Sequence, residues 1–509
     1  MRGMTPTKSR IRTRVFTEIA KMAYKGFDAR EFENLPFKII PGEMAQYRDS
    51  IFVEREIVAE RLRAAMGMGL RKWTNYASVR TGVDATLVDE KYYEPPLVDI
   101  IKFACNRCPE KRVMVTDACQ RCLEHPCTDV CPKGAVSLIR GKSHIDESKC
   151  VSCGLCVDAC SYHAIVKQER PCAAACGMNA IRSDEYGRAV IDHEKCVSCG
   201  MCLVNCPFGA IIDKSQIFQT ITAIKSGTPV YAAVAPAIAG QFGKATSGQL
   251  RSAMKAAGFA DVVEVAIGAD LCTIAEAKDF MEEVPAKQPF MATSCCPAWS
   301  EMAKKLYPEF APYISMALTP MVLTARLIKR EHPGCKVVFV GPCAAKKLEA
   351  SRKSIRSHVD FVLTFEELAS IFEAREVDVA KCEDAGPLQD ASTQGRGFAV
   401  SGGVAKAVEE VIHSLDPQAE VKTARAESLP ECRKLLAMAK AGKYNGYLLE
   451  GMACPGGCVA GAGVIVPAKK AAAAVEKAAQ SAKDKSALDS AYLEYLSILE
   501  DESWEEDIK

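Results

Sequence analysis

The sequence predicts an α/β fold with parallel strands for its second half and a small, cysteine-bearing α+β region ahead of it. Three observations carry this reading. Between residues 228 and 465, short β-rich runs alternate with helix-like runs, the pattern of α/β units with parallel strands. Sixteen of the 25 cysteines fall between Cys105 and Cys206. The stretch before them, residues 10–95, reads as helical (EREIVAERLRAAMGMGLRKW) and holds no cysteine.

Taken in order, the segments are an N-terminal, mainly helical one (1–98), the cysteine-dense region (99–215), the α/β domain (228–466) and a polar helical tail with an acidic end (467–509). The first residues, MRGMTPTKSRIRTRVF, are basic with no apolar stretch behind them and no adjacent arginine pair. They read as a solvated start rather than a secretory or twin-arginine signal. No run approaches the ~18 apolar residues of a membrane span. A formal net charge of +1 gives no basic field for nucleic acid. Cysteines clustered in one region of a chain without an export signal point to metal ligation in a reducing cytoplasm.

The cysteine region carries a repeated pattern. Its last run, CVSCGMCLVNCPFGAI, places Cys196, Cys199, Cys202 and Cys206 before Pro207 in the C-x2-C-x2-C-x3-C-P spacing of bacterial ferredoxins. Three close thiolates face three corners of one cubane, and the fourth, at the start of a helix, points to another. CVSCGLCVDACSYHAI repeats the spacing with Cys150, Cys153, Cys156 and Cys160, with Ser161 in place of the proline. CQRCLEHPCTDVCPKGAV supplies Cys119, Cys122, Cys127 and Cys131 in a C-x2-C-x4-C-x3-C-P variant that resembles electron-transfer subunits of molybdenum oxidoreductases. Cys172 and Cys176 look like a shortened run, and Cys105 and Cys108 form a C-x2-C pair.

The run-sharing rule gives three [4Fe–4S] clusters: Cys119, Cys122, Cys127 with Cys160; Cys150, Cys153, Cys156 with Cys131; and Cys196, Cys199, Cys202 with Cys176. Cys105, Cys108, Cys172 and Cys206 are left, enough for a fourth, with half of a zinc site as the alternative for Cys105 and Cys108. Such carriers in series form a wire, which implies a site at its inner end.

Five further cysteines follow three expected strands. Cys295 and Cys296 come after PFMATS, Cys343 after KVVFVGP, and Cys454 and Cys458 after NGYLLEGMA. In open α/β folds, ligands bind beyond the carboxyl ends of the strands, so strand-end position brings these thiols toward one site. Glycines at 456, 457, 461 and 463 let the backbone approach a bulky group.

TSCCPAW, GPCAAKKLE and EGMACPGGCVAGAG resemble the three signature motifs of iron-only ([FeFe]) hydrogenases, and the likeness runs from about residue 228 to 465, through VAPAI, GADLCTIAE and FAVSGGV. The resemblance implies an α/β catalytic domain of two lobes with parallel sheets, preceded by α+β ferredoxin-like iron–sulfur domains. It implies an H-cluster, a cubane joined to a diiron unit with CO, cyanide and azadithiolate, besides three to four accessory [4Fe–4S] clusters. Cys296, Cys343, Cys454 and Cys458 match the cubane ligands, with Cys458 also bridging to the diiron unit. Cys295 matches the thiol that passes protons, and Lys346 the lysine that hydrogen-bonds a cyanide. Ala235, Pro236, Phe398 and Met452 match residues lining the diiron pocket, and Glu349 orders the loop of the second motif. Glu276 and Ser315 align with the next members of a proton relay, with Asp279 one helical turn further along.

The implied reaction is the reversible interconversion of protons and electrons with H2. Its expected partners are ferredoxin or a similar electron carrier and the family's maturation proteins, with no nucleic acid and no membrane. A hydrogen sensor with slow turnover and a non-catalytic relative of the iron–sulfur assembly type are the competing readings. The chain departs from the common motifs at Gly341 (often methionine), at Met321 (often glutamine) and in the ending GAG (often GGG).

Overall fold

A computed structural model describes residues 7–497, apart from residues 73, 353, 354, 356 and 357. The first six residues of the basic start and the acidic end of the tail, 498–509, lie outside the described residues. Among the described residues no helix is long and apolar enough to cross a membrane.

The β-rich runs PVYAAVAP, DVVEVAI, PFMATS, KVVFVGP, DFVLTF and NGYLLEG of the second half are all strands, and a seventh joins them. They are β1 (Val230–Val234), β2 (Asp261–Glu264), β3 (Phe290–Ala292), β4 (Lys336–Gly341), β5 (Phe361–Thr364), β6 (Lys422–Glu427) and β7 (Tyr447–Met452). They form two sheets, ordered β2-β1-β4-β5 and β3-β7-β6. Every pairing in both is parallel. Strands β1 and β4 are nearly continuous apolar runs because helices cover both faces of a parallel sheet. β6, KTARAE, is an edge strand with one buried residue, so it carries none of the apolar signal that marks the others.

The N-terminal helix Thr7–Lys25 buries Val15, Phe16, Ile19, Ala20, Met22 and Ala23, a stripe at helical spacing. That stripe packs on the helices Ile217–Lys225 and Phe365–Ala374 and shares one apolar core with β1, β4 and β5. A buried ion cluster reinforces the junction. Asp213, at the end of the cysteine region, meets Arg12 at 2.7 Å and Lys347 at 3.0 Å. Lys347 also meets Glu367 at 2.8 Å, and Arg12 meets Glu366 at 2.7 Å. One network thus ties the first helix, the cysteine region and the second motif's helix Ala345–Glu349 together.

The cysteine region is a unit nested within a unit. Strand Val98–Ile100 pairs antiparallel with Ile211–Asp213, and inside that pair Arg112–Val115 pairs antiparallel with Ile165–Gln168. The shortened run at Cys172 and Cys176 therefore has its other half at Cys105 and Cys108, with residues 109–171 inserted between. The same backbone device recurs four times. Arg107, Arg121, Ser152 and Ser198, each the residue before the second cysteine of a C-x2-C pair, are left-handed, with φ of 51°, 54°, 52° and 52°. Cys131, Cys160, Cys176 and Cys206 each accept a backbone N–H from the alanine four residues on, at 3.3–3.4 Å. The tail helix Ala468–Gln480 seats Ala471 and Val475 against the first lobe, and Thr393 donates to its Ala479 carbonyl at 2.9 Å.

Candidate metal centre and proton route

The three motif loops meet in one cavity of about 90 Å³, whose wall includes Cys295, Cys296, Cys343, Cys454 and Cys458. Ala235, Pro236, Phe398 and Met452, all expected here, line it too, with Lys346. The route from sequence to this geometry is local. β3 ends at Ala292, and Pro297 opens the helix Pro297–Leu306, so Cys295 and Cys296 fall in the turn between. β4 ends at Gly341, and Pro342 separates it from Cys343. β7 ends at Met452, and Cys454 and Cys458 flank the turn that follows.

The loops lock onto one another through glycines. A Cβ on Gly457, at φ 92°, would stand 2.6 Å from the Ser401 amide. A Cβ on Gly451 would enter the Trp299 ring, so the third motif makes room for the tryptophan of the first. Trp299 donates through Nε1 to the Thr293 carbonyl at 3.1 Å, closing the turn that carries both cysteines.

Cys295 and Cys296 have some exposed surface, yet both are deeply surrounded by protein. The exposed part faces the cavity rather than bulk water. Burial raises the Cys295 thiol well above its ordinary value, and the neighbouring Glu276 carboxyl adds to the effect, so Cys295 holds its proton. Glu276 is fully buried on the helix Ala266–Glu283. Its Oε1 accepts from the Ser294 amide at 3.1 Å and the Ser294 hydroxyl at 3.5 Å, while Oε2 has no aligned partner. Burial pushes Glu276 up to about 7, against the Ser294 amide and the nearby Ser315 hydroxyl, which lower it. Asp279, half-buried one turn along, is also raised, by burial and by Glu282 and Glu283. The structure thus brings Cys295, Glu276 and Ser315 together, and adds Ser294, which sequence reasoning passed over although it stands inside the first motif.

Lys346 is buried beside the cavity. Burial opposes its charge, but Glu349 at 2.7 Å holds its pKa above the ordinary value. The contact is close without being aligned as a hydrogen bond, so the ammonium keeps unspent donors. Thr319 fixes the other Glu349 oxygen at 2.7 Å. Phe339 and Met321 also line the cavity. Phe339 was legible only in space: its ring lies where a Cβ on Gly341 would be.

The accessory cysteines gather in separate chambers. Cys105, Cys108, Cys172 and Cys206 line one, Cys176, Cys196, Cys199 and Cys202 a second, and Cys131, Cys150, Cys153 and Cys156 a third. Of the remaining set, Cys127 lies 3.1 Å from the Ser143 hydroxyl, and Ser143 also hydrogen-bonds Cys119. Cys160 belongs to the same apolar cluster as Cys127. Among the described residues, no three His, Cys, Asp or Glu side chains converge as they would on a single ion. Thiols spread around a chamber suit a multi-atom cluster instead. Cys199 stands in the walls of both the second chamber and the central cavity. Gly200 packs its backbone on the motif loops, where a Cβ would stand 2.5 Å from that of Ala462, in the GAG ending.

The fold and these chambers are those of a protein built around iron–sulfur clusters. Residues 228–462 match the family model "Iron only hydrogenase large subunit, C-terminal domain", and residues 149–210 match a 4Fe-4S dicluster domain. The chain is 30% identical over 265 residues to a periplasmic [Fe] hydrogenase large subunit of Nitratidesulfovibrio vulgaris, covering 43% of this chain and 63% of the relative. It is 29% identical over 264 residues to iron hydrogenase 1 of Clostridium pasteurianum, covering 44% and 46%. It is 27% identical over 272 residues to a cytosolic Fe-S cluster assembly factor of Danio rerio, covering 43% and 66%. The chain therefore spans about half to two thirds of the length of these relatives. The resemblance to the iron-only hydrogenase family is established by these matches.

Proposed function

We propose that this protein is an iron-only hydrogenase that interconverts protons, electrons and H2. One observation carries the reading: five thiols from three strand ends surround one cavity, whose wall also includes Cys199, with Glu276 and Ser315 behind Cys295. The residues fit an H-cluster. Four thiols, a buried ammonium with unspent donors and a glycine-lined backbone face an otherwise apolar space.

Cys296, Cys343, Cys454 and Cys458 would hold that group, which supplies the metal chemistry of making and splitting H2. The rest is the work of this chain. Lys346 offers N–H donors to an anionic ligand, a charge-assisted contact strengthened by burial. Ala235, Pro236, Phe398 and Met452 keep water out, which strengthens every polar contact inside. Cys295 Sγ holds a proton at the cavity wall. Glu276, raised to about 7, takes and returns protons near neutrality, and Ser315 extends the line outward. Cys199 brings the accessory chambers to the cavity wall and offers a route for electrons separate from the proton line. The proposed partners are ferredoxin or a similar carrier and the maturation proteins, in a cytoplasmic setting.

The similarity to cytosolic Fe-S assembly factors favours a second reading, a non-catalytic cluster carrier. Expression with the maturation machinery separates the two. Infrared bands of CO and cyanide with H2 evolution from a reduced dye are expected, and their absence after maturation rejects the hydrogenase reading. Cys295→Ala keeps the bands and lowers turnover by about 10²–10⁴-fold, the usual weight of a positioned proton donor. Undiminished turnover removes Cys295 from the route.

A further inference from the structure

The chamber of Cys105, Cys108, Cys172 and Cys206 differs from the others in having buried cations beside it. Arg170 is 4% exposed and forms part of its wall. Its Nη2 donates to the Cys108 carbonyl, the Ser183 hydroxyl and the Gly187 carbonyl, each at 2.9 Å. These bonds fasten the point where the inserted unit rejoins the outer one. Its Nε and Nη1 have no partner although they are buried. A guanidinium left with orphan donors inside a protein costs stability unless something accepts them.

Three more cations surround the same chamber. Arg48 donates to the Ala104 and Phe208 carbonyls at 3.0 and 2.9 Å. Arg61 donates to the Gly209 carbonyl, and Lys8 to the Cys206 carbonyl at 3.1 Å. All four are hydrogen-bonded to backbone or hydroxyl oxygens and have no carboxylate within ion-pair distance among the described residues, so their charge is not cancelled at contact. In the other chambers the nearby cations are exposed, where water screens them: Lys133 in the wall of the chamber of Cys131, Cys150, Cys153 and Cys156, which opens to solvent at Cys153, and Lys305 on the Cys196 carbonyl at 2.9 Å. Arg170 and Arg61, by contrast, are buried.

Reduction of an iron–sulfur cluster adds one negative charge, and potential is set by net charge, hydrogen bonds to sulfur and exposure. Uncancelled cations in a buried site favour the reduced form. We infer that the station at Cys105, Cys108, Cys172 and Cys206 is the highest-potential member of the accessory chain, made so chiefly by Arg170, and that it stores an electron beside the station serving the central cavity. The balance is one electron gained from the neighbouring reduced carrier and one released to the next. This rests on the reading of these four cysteines as a [4Fe–4S] site.

The test is a redox titration of the fully loaded full-length chain, followed by electron paramagnetic resonance, with iron and sulfide analysis of every variant. The first signal to appear on reduction is expected to vanish in Cys105→Ser together with about four iron atoms. Arg170→Gln keeps the iron and lowers the reduced-to-oxidised ratio of that signal about tenfold at fixed potential, ~59 mV for one electron. Arg170→Lys, which keeps the charge, shifts it less. If Cys105→Ser loses no iron, the cluster assignment itself falls. If the iron is lost but the first signal stays, or if Arg170→Gln leaves its ratio unchanged, the inference falls and the assignment stands. Should Arg170→Gln shed the cluster, Arg61→Gln and Lys8→Gln decide: each lowers the ratio severalfold, and no change in either overturns the proposal.

Discussion

The accessory chambers and the central cavity both gather cysteines, by opposite means. In two accessory chambers three of the four thiols come from one short run, Cys196–Cys202 or Cys150–Cys156, and in all of them left-handed turns and amide-to-sulfur hydrogen bonds repeat around the unit. The central cavity takes its five thiols from three strand ends spread over residues 295–458, and its geometry depends on two sheets and the loops that interlock between them. Local turns survive insertion: the outer unit tolerates residues 109–171 between Cys108 and Cys172. The cavity has no such tolerance, because each loop is packed against another.

The largest expected effect follows from this contrast. Cys343→Ser is expected to abolish both the infrared bands and H2 evolution. Cys153→Ser, in an outer chamber, is expected to keep the bands while costing about four iron atoms. Loss of the bands in Cys153→Ser would mean that the two regions do not assemble independently. Next comes the ion cluster that joins them. Lys347→Ala leaves the Glu367 carboxylate without its cation and Asp213 with Arg12 alone, and is expected to cost about 3–5 kcal/mol in denaturant unfolding. A loss under about 1 kcal/mol would place the junction's strength in its apolar contacts instead.

Gly451→Ala drives a methyl group into Trp299 and is expected to destabilise the central domain by about 1–3 kcal/mol. Iron content of the accessory chambers is expected to stay unchanged, which metal analysis checks. The smallest effect is a pH dependence. Burial raises Glu276 from 4.5 and Asp270 from 3.8, each to about 7. Between about pH 4 and 7 the folded chain then holds protons that the unfolded chain has released, so stability falls as pH rises through that window. Glu276→Gln is expected to flatten part of the slope in thermal unfolding of the unloaded chain. An unchanged slope would assign the effect to Asp270, whose Oδ2 accepts the Ser392 amide at 2.9 Å.

The parts readable from sequence are those whose physics is local. β1 and β4 announce themselves as apolar runs, and Cys196, Cys199 and Cys202 as a spacing. β6 escapes because an edge strand with one buried residue has no apolar pattern. Phe339 escapes because its role depends on the space beside Gly341. Arg170 escapes because an arginine before a proline carries no signal until its partners at Cys108, Ser183 and Gly187 are known.

By itself, the sequence determined the ligand chemistry: sulfur donors in clustered runs, and three motif loops at strand ends. Spacing is a property of the chain, and short loops leave thiolates little freedom in what they face. Tertiary structure alone decided that Ser294 backs Glu276, that Phe339 enters the cavity wall, and where uncancelled cations collect. Those depend on desolvation and on contacts between residues far apart in the chain, such as Arg170 with Cys108 and Glu276 with Ser294. Neither quantity is written in any short stretch of residues.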